Sequence, residues 1–461
     1  MSDKRAQHFD LVVVGAGPAG LAAARAAAVA RFSVALIDEN PHPGGQIWRR
    51  DICDATSKKN QIVDLRRREL DRLGVQIFCG VTVVGGAHDQ ELGGAHDQML
   101  GASQTRSLGA AQSHRLFLSR GDEAMVLSCE RLVLATGARE RFLPFEGWTR
   151  PGVFGTGGLQ ALVNNGFDIK GKRIVVAGTG PLLIAVAAAF QEAGAAVQAI
   201  VEQVSAHHVR RLGVGLWKRP AKLVQAFGYM RSLAKIRRVY DAWPLKALGQ
   251  DKLESVVLRT VTGRQALSCD LLACGFGLVP EIRLARYLGC EDRLGSLKVD
   301  DNQETSVAGI FAAGEPCGIG GLDCALVEGE IAGLAAVGRI AAAAKLHAKR
   351  DKEREFAKQL EATFALRDEL KEMSQPRTLI CRCEDVTRGE LDGFTSVREA
   401  KLATRAGMGT CQARVCGPAL QFLYGWPEEQ ARLPLAPISM ASFGVYAAAT
   451  AKQKDRHNDG L

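Results

Sequence analysis

Four cysteines near the C-terminus, Cys381, Cys383, Cys411 and Cys416, stand in a Cys-x-Cys and Cys-x4-Cys arrangement. Two thiolates one residue apart cannot close a relaxed disulfide, but on a tight turn they can hold one iron of a cluster from the same side. The second pair would hold the other iron. Gly407, Gly409 and Gly417-Pro418 punctuate these loops, where amide hydrogens aimed at the sulfurs would tune a reduction potential. Zinc is the competing occupant, and four unrelated buried thiols are the plain alternative. The crowding of both pairs into one glycine-punctuated segment favours the cluster.

Phosphate binding is the second chemistry on offer. Residues 10–14 read as a β-branched strand that runs into Gly15-Ala16-Gly17-Pro18-Ala19-Gly20, and the alanine-rich residues 21–30 read as a helix. Gly15 permits the turn, Gly17 lets the backbone approach a pyrophosphate at the helix N-terminus, and Gly20 lets helix and strand pack closely. The next strand, 33–37, ends at Asp38-Glu39, about 20 residues on, where an acid can bind an adenosine ribose. Asp38, directly after the strand, is preferred, with Glu39 next. The unit recurs: a strand over 173–177, Gly178-Thr179-Gly180-Pro181-Leu182-Leu183, a helix, and a strand ending at Glu202. Leu183 takes the third glycine position, so this helix cannot approach its strand as closely as a productive nicotinamide site prefers. Glu202 favours a free ribose 2′-hydroxyl, hence NAD or another adenine nucleotide (ATP or ADP) over NADP. An inherited fold with an empty second site is the alternative.

These elements must be carried by a chain of 461 residues, too long for one core and suited to two or three domains. A hydrophobic content of 47% with 6% aromatic describes an α/β protein with ample core. The N-terminus runs into a strand without an apolar leader, and no apolar run is long enough and free enough of charge to span a membrane, so the expectation is a cytoplasmic protein. The twelve cysteines therefore read as reduced thiols or metal ligands. Cys53 is the nearest cysteine past Gly44-Gly45, and the second nucleotide unit has no Cys-x-x-Cys, so no redox disulfide pair is legible; Cys269 and Cys274 read as core thiols.

Much of the +9 charge is local. Residues 204–240 carry Arg210, Arg211, Lys218, Arg219, Lys222, Arg231, Lys235, Arg237 and Arg238 with no acid, interleaved with apolar residues, which predicts basic amphipathic helices inserted in a domain. A solvated face or a contact between subunits outweighs a polyanion site, because no groove-reading element accompanies the charge; nucleic acid is excluded as a partner, and with it a zinc-bearing DNA regulator. Residues 85–116 hold an eight-residue period that begins Gly-Gly-Ala-His-Asp-Gln and predicts an exposed excursion. His88, Asp89, His96 and Asp97 recur there by duplication, which explains them without a metal. Residues 331–373 read as helix linking to the cysteine module, with Pro376 at the boundary.

The stretches Leu132-Val133-Leu134-Ala135-Thr136-Gly137-Ala138 and Gly309-Ile310-Phe311-Ala312-Ala313-Gly314-Glu315 resemble those that close over FAD in flavoproteins with two dinucleotide-binding domains. Pro43-Gly44-Gly45-Gln46 resembles the loop that family lays beside the flavin. Together they imply FAD at the first site, held by Gly15, Gly17, Pro18, Ala19, Gly20, Asp38, Glu39, Gly45, Gln46, Thr136, Gly137, Gly314 and Glu315. The family usually has aspartate where Glu315 stands. Gly178, Gly180 and Glu202 would hold the second nucleotide.

With Gly147-Trp148-Thr149-Arg150-Pro151-Gly152-Val153, Cys274 to Pro280 and Thr404 to Pro418 all in order, the chain resembles the α subunits of bacterial heteromeric amine and amino-acid dehydrogenases. That family includes the A-type chain of opine oxidase, the α chain of D-hydroxyproline dehydrogenase and the B-type chain of hydrogen cyanide synthase. The C-terminal module is similar to the bacterioferritin-associated-ferredoxin type of [2Fe-2S] domain, whose usual Cys-x-x-Cys is here the wider Cys411-x4-Cys416. The resemblance implies an α/β fold of two Rossmann-like domains, one inserted in the other, plus a small iron-sulfur domain. Its expected bounds are 1–147 and 276–345 for FAD, 148–275 for the second nucleotide, 346–375 for a linker and 376–450 for the cluster. It implies a β subunit similar to D-amino-acid oxidases that oxidises a C–N bond, with room for a small third subunit, an FMN at the subunit interface and peripheral membrane association. This chain would pass electrons on to a quinone or similar acceptor. No substrate-binding arginine or acid/base pair is legible, and the catalytic residues are left open. The enzyme alternative is a self-sufficient NAD(P)H-dependent reductase feeding its own cluster.

Overall fold

The computed structural model describes residues 7–88, 113–428 and 432–444. The chain forms two compact units, one of Met1–Ala138, Pro280–Arg354 and Gln430–Leu461, the other of Arg139–Val279 and Glu355–Glu429.

The first unit is built on β1 (Gln7–Val14), α1 (Pro18–Val29), β2 (Val34–Asp38), α2 (Lys58–Arg72), β3 (Gln76–Cys79), β4 (Thr82–His88), β5 (His114–Arg120) and β6 (Glu123–Leu134). Its seven-stranded sheet runs β3-β2-β1-β6-β5-β4, with the strand Ile310–Ala312 also pairing β6. The pairs β3-β2, β2-β1, β1-β6 and β6 with Ile310–Ala312 are parallel, while β4-β5 and β5-β6 are antiparallel. Both faces of β1 are buried. Leu11 and Val13 enter the core shared with α1, and Val12 and Val14 enter the opposite core with Leu284, Leu288 and Leu435, so the strand reads as a continuous apolar run. The alanines of α1 let the helix Gly321–Ala336 lie close: a Cβ on Gly329 would stand 2.1 Å from the Ala19 carbonyl oxygen, and one on Gly333 2.3 Å from that of Ala23.

Two local expectations are corrected. The ends of the octad repeat are strand rather than exposed loop, because Gly85 to His88 pair with residues 114–117 and a Cβ on Gly86 would meet the Arg115 carbonyl oxygen at 2.9 Å. The rest of the repeat, with Asp89, His96 and Asp97, lies outside the described residues. The helix expected over 331–373 starts earlier, at Gly321, and is broken into Gly321–Ala336, Ile340–Ala344 and His347–Thr363, with a 3-10 turn at Asp368–Met373. Gly338, at φ +76°, turns the chain out of the first of these.

The second unit carries a five-stranded parallel sheet. Arg173–Gly178 lies in its middle, flanked by Ala196–Glu202 on one side and Leu271–Gly275 on the other, with Arg237–Val239 and Val153–Gly155 at the edges. An antiparallel sheet of Trp243–Leu248, Ser255–Thr260 and Gly263–Ser268 stands beside it. The basic segment forms helices Ala206–Gly215 and Pro220–Ser232, as its patterning predicts. Residues 355–429 belong to the same unit: Leu370 and Met373 share a core with Phe145, Trp148 and Trp243. The cysteine module has its own small core of Ile380, Leu391, Ala400, Leu420 and Trp426. Among the described residues no helix is long and apolar enough to cross a membrane.

Candidate functional site

The first glycine loop is shaped by close approach. A Cβ on Gly15, whose φ is +102°, would lie 2.1 Å from the Ala135 carbonyl oxygen, and one on Gly20 1.8 Å from that of Gly15. Gly17 differs, since a Cβ there would meet only the Gly45 Cα, at 3.9 Å. No packing demands glycine at 17, and the helix it caps has no side-chain cap, which leaves an N-terminal amide cradle suited to a pyrophosphate. Pro18 and Ala19 form the first turn of α1.

The other flavin-motif residues gather at the same ends of the strands. The Gly44 amide donates to the Ala16 carbonyl oxygen at 2.8 Å, and Gly45 sits against Gly17. Gln46 is exposed and accepts from Arg49 at 2.7 Å. Thr136 donates through its hydroxyl to the Glu281 carbonyl oxygen at 2.5 Å, and Gly137 follows it. A Cβ on Gly314 would crowd that of Ala19 at 2.9 Å. Asp38 is buried and accepts from the Ala16 amide at 2.6 Å and from Asn40 at 2.8 Å, whereas Glu39 is exposed. Burial pushes the Glu315 carboxyl above its usual value.

Glu328 is a residue that sequence spacing did not flag. Its buried carboxylate accepts from the Gly314 amide at 2.9 Å and from Arg354 at 2.7 Å, and Arg354 also reaches Gln303 at 2.7 Å. It fixes the loop that presents Glu315. Only its position inside an apolar helical face could have marked it.

At the second loop, Glu202 is turned inward. Its carboxylate accepts from the Gly180 amide at 2.8 Å, the Thr179 hydroxyl at 2.8 Å and the Val204 amide at 3.1 Å. Burial outweighs these bonds and pushes it up to about 7. Gly178 meets the Gly275 carbonyl oxygen so closely that a Cβ would stand 1.8 Å away, while a Cβ on Gly180 would meet nothing within 4 Å. Leu183 is fully buried and, with Ile184, Ile200, Tyr240 and Phe364, lines an apolar cavity beside Glu202 and Arg238. The Glu202 carboxylate thus already accepts from one of the loop amides that face the glycine turn.

The four cysteines converge. Cys416 is in thiol contact with Cys381 and Cys411, and Cys411 with Cys383. The sulfurs form a chain of contacts, and among the described residues no three His, Cys, Asp or Glu stand as a ready set for a single metal ion. Donation from Cys416 lowers the Cys381 and Cys411 thiols and raises its own. Backbone amides of Gly407, Glu384 and Cys383 point at the Cys381 sulfur, the first at 3.5 Å, and those of Val415 and Ala413 at that of Cys411. Cys383 is exposed and the others are wholly or partly buried. Asp385, Arg405, Gln412 and Ala413 all adopt positive φ beside them, a concentration of backbone strain of the kind found at functional sites. Cys381 ends a short strand, Cys383 and Cys411 lie in turns and Cys416 opens the helix Cys416–Tyr424; four converging thiols, two of them met by backbone amides, fit a two-iron cluster.

Two further residues carry no signal in the local sequence. Arg139 donates to the Arg414 carbonyl oxygen, between Cys411 and Cys416, at 2.9 Å and to Glu428 at 2.8 Å. The Trp148 indole donates to the Leu379 carbonyl oxygen at 2.7 Å, two residues before Cys381. Both brace the cysteine loops from more than two hundred residues away in sequence. Cys269 and Cys274 lie fully buried, their thiols pushed up by desolvation, as expected of core residues.

The pattern that defines the pyridine nucleotide-disulphide oxidoreductases matches residues 9–332. The chain belongs to the pyridine nucleotide-disulphide oxidoreductase family. Membership implies FAD and makes this chain a flavin-dependent oxidoreductase. Within the family it is 31% identical to the A-type chain of opine oxidase from Rhizobium meliloti (strain 1021), over 94% of this chain and 97% of that protein. It is 28% identical to the HcnB chain of hydrogen cyanide synthase from Pseudomonas aeruginosa, over 94% and 97%. Among solved structures, L-proline dehydrogenase from P. horikoshii superposes with a TM-score of 0.67 at 20% identity, over 96% of this chain and 81% of that one. That likeness speaks for the fold of this family member.

Proposed function

We propose that this chain is the electron-transferring α subunit of a heteromeric flavin-dependent dehydrogenase or oxidase, in which a partner β subunit oxidises the C–N bond of an opine, hydroxyproline or related amino acid. Electrons would be relayed through FAD and a [2Fe-2S] cluster in this chain, on the cytoplasmic side, to a quinone or other acceptor. The observation that carries the reading is the cysteine nest, four converging thiols with backbone amides aimed at the Cys381 and Cys411 sulfurs; the close-packed glycine loop at Gly15 and Gly20 supports flavin binding beside it. The relatives' names, which make them component chains of opine oxidase and of hydrogen cyanide synthase, support a division of labour between chains.

When bound, FAD exchanges electrons in ones or twos and a two-iron cluster in ones. The chain's own residues supply the rest. The α1 N-terminus with Gly15, Gly17 and Gly20 would cradle the pyrophosphate, and Asp38 would orient the ribose end. Thr136, Gly137, Gly314 and Glu315 would close over the flavin. Cys381, Cys383, Cys411 and Cys416 would ligate iron, with the amides of Gly407 and Ala413 stabilising charge on the sulfurs. An adenine nucleotide is proposed at the second glycine turn, held by Gly178, Gly180 and Glu202. The self-sufficient NAD(P)H reductase is disfavoured by Leu183, which stands in the third glycine position of that turn and keeps its helix from the closest approach to the strand.

The test is the visible absorption and reduced-state EPR of the purified chain, with iron, sulfide, zinc and flavin analyses. Two irons and two sulfides per chain, with a rhombic reduced signal over a flavin spectrum, is the expected result. Flavin with zinc or no metal would overturn it. Rapid bleaching of the flavin by NADH would favour the reductase instead.

A further inference from the structure

The helix Pro220–Ser232 is amphipathic in an inverted sense. Tyr229, with Leu233 just beyond the helix, packs inward on the core of the second unit. The outward face, where an ordinary surface helix is polar, presents Leu223, Val224, Phe227 and Met230, which are 44%, 72%, 67% and 56% exposed. Their spacing places them along one stripe. Just before it, Val214 and Trp217 are 74% and 70% exposed, which extends the apolar surface along the chain into the preceding helix Ala206–Gly215. A contiguous outward run of this kind marks an interaction surface.

We propose that helices Ala206–Gly215 and Pro220–Ser232 dock this chain on an anionic lipid bilayer. The charge decides the occupant. Nine Lys and Arg and no Asp or Glu lie between Val204 and Tyr240; Arg219 lies over Phe356, Arg237 donates to Gln265 and Arg238 lines the cavity, while Arg210, Arg211, Arg231 and Lys235, in or just after the two helices, are exposed. A protein interface concentrates apolar residues and depletes charge at its centre, and so dense a run of one sign would need a matching acidic surface. A bilayer supplies both halves: an acyl boundary for Trp217, Phe227 and Val224, and a plane of phosphates for the cations. The thirteen-residue helix is about 20 Å long, suited to lying flat in the interface.

The experiment is flotation of the purified full-length chain with vesicles of phosphatidylcholine alone or of phosphatidylcholine with phosphatidylglycerol. Binding is expected to the anionic vesicles only, and to weaken as salt rises. Val224→Asp with Phe227→Asp abolishes it, and Arg210→Glu with Arg211→Glu weakens it at least about tenfold. Val261→Asp, on an exposed hairpin turn of the same unit, leaves binding unchanged, and unaltered melting and flavin content show that the variants fold. Three outcomes overturn the proposal: no binding to anionic vesicles, binding untouched by the helix variants, or a lipid-free oligomer that the helix variants dissociate. The last would assign the stripe to a second copy of the chain.

Discussion

Glu202 shows how one carboxylate can be committed before any ligand arrives. With its pKa raised by burial to about 7 from 4.5, the protonated form is favoured in the folded state. Its contribution to stability is therefore fully present below about pH 4.5 and is lost as pH rises through 7, by up to about 3 kcal/mol. Glu202→Gln should flatten this dependence: melting temperatures at pH 5 and pH 8, compared between variant and parent, would converge in the variant. Arg139 makes a second test at this scale. Arg139→Ala removes an ion pair to the partly buried Glu428 and a donor to the Arg414 carbonyl, at a cost of about 2 kcal/mol. With a positive charge gone from beside the cysteine loop, the midpoint potential of the proposed cluster should fall while its iron content holds. A spectroelectrochemical titration reads that shift, and an unchanged potential would reduce Arg139 to a structural brace.

The decisive element contact is α1 against Gly321–Ala336. Gly329 and Gly333 fall four residues apart on one helix face, where Ala19 and Ala23 leave no room for a side chain. Gly333→Val should cost about 1–3 kcal/mol by overpacking, displace α1 and with it the glycine loop, and lower flavin retention. Thermal denaturation with flavin release measures both, whereas Gly338→Asn, at a helix end with positive φ and nothing within 4 Å of a Cβ, should be tolerated. The glycine loops, the strands leading into them and the basic helices were all legible, because local periodicity and turn chemistry dictate them. The octad ends were not: a Gly-Gly-Ala-His run has little strand propensity, and it becomes strand only through pairing with residues 114–117.

In the whole molecule the cysteine segment is not an appendage. Leu366, Leu370 and Met373 pack with Phe145, Trp148 and Trp243, and the Ser374 hydroxyl donates to the Pro144 carbonyl oxygen at 2.5 Å. Truncation after Thr363 should therefore do more than remove metal ligands. It should expose that core, lower the melting temperature of the remaining chain and raise its aggregation, while the same chain with only Cys381 and Cys383 changed to serine keeps its fold. Calorimetry on the two variants separates the effects; a truncated chain melting like the full one would show the segment to be energetically independent.

The chemistry on offer is legible in short stretches of residues: two strand–glycine-turn–helix units, flavin-type strands, a cysteine quartet and an α/β fold. Each is written in residues a few positions apart, where turn geometry and periodicity act directly. Packing sets which of those groups are available. It turns Glu202 onto its own loop and buries Glu328 against the Gly314 amide, and it sets Arg139 and Trp148 on cysteine loops more than two hundred residues away. Such contacts follow from how sheets and helices stack, and no local pattern of side chains encodes which distant hydrogen-bonding group will be brought to hand.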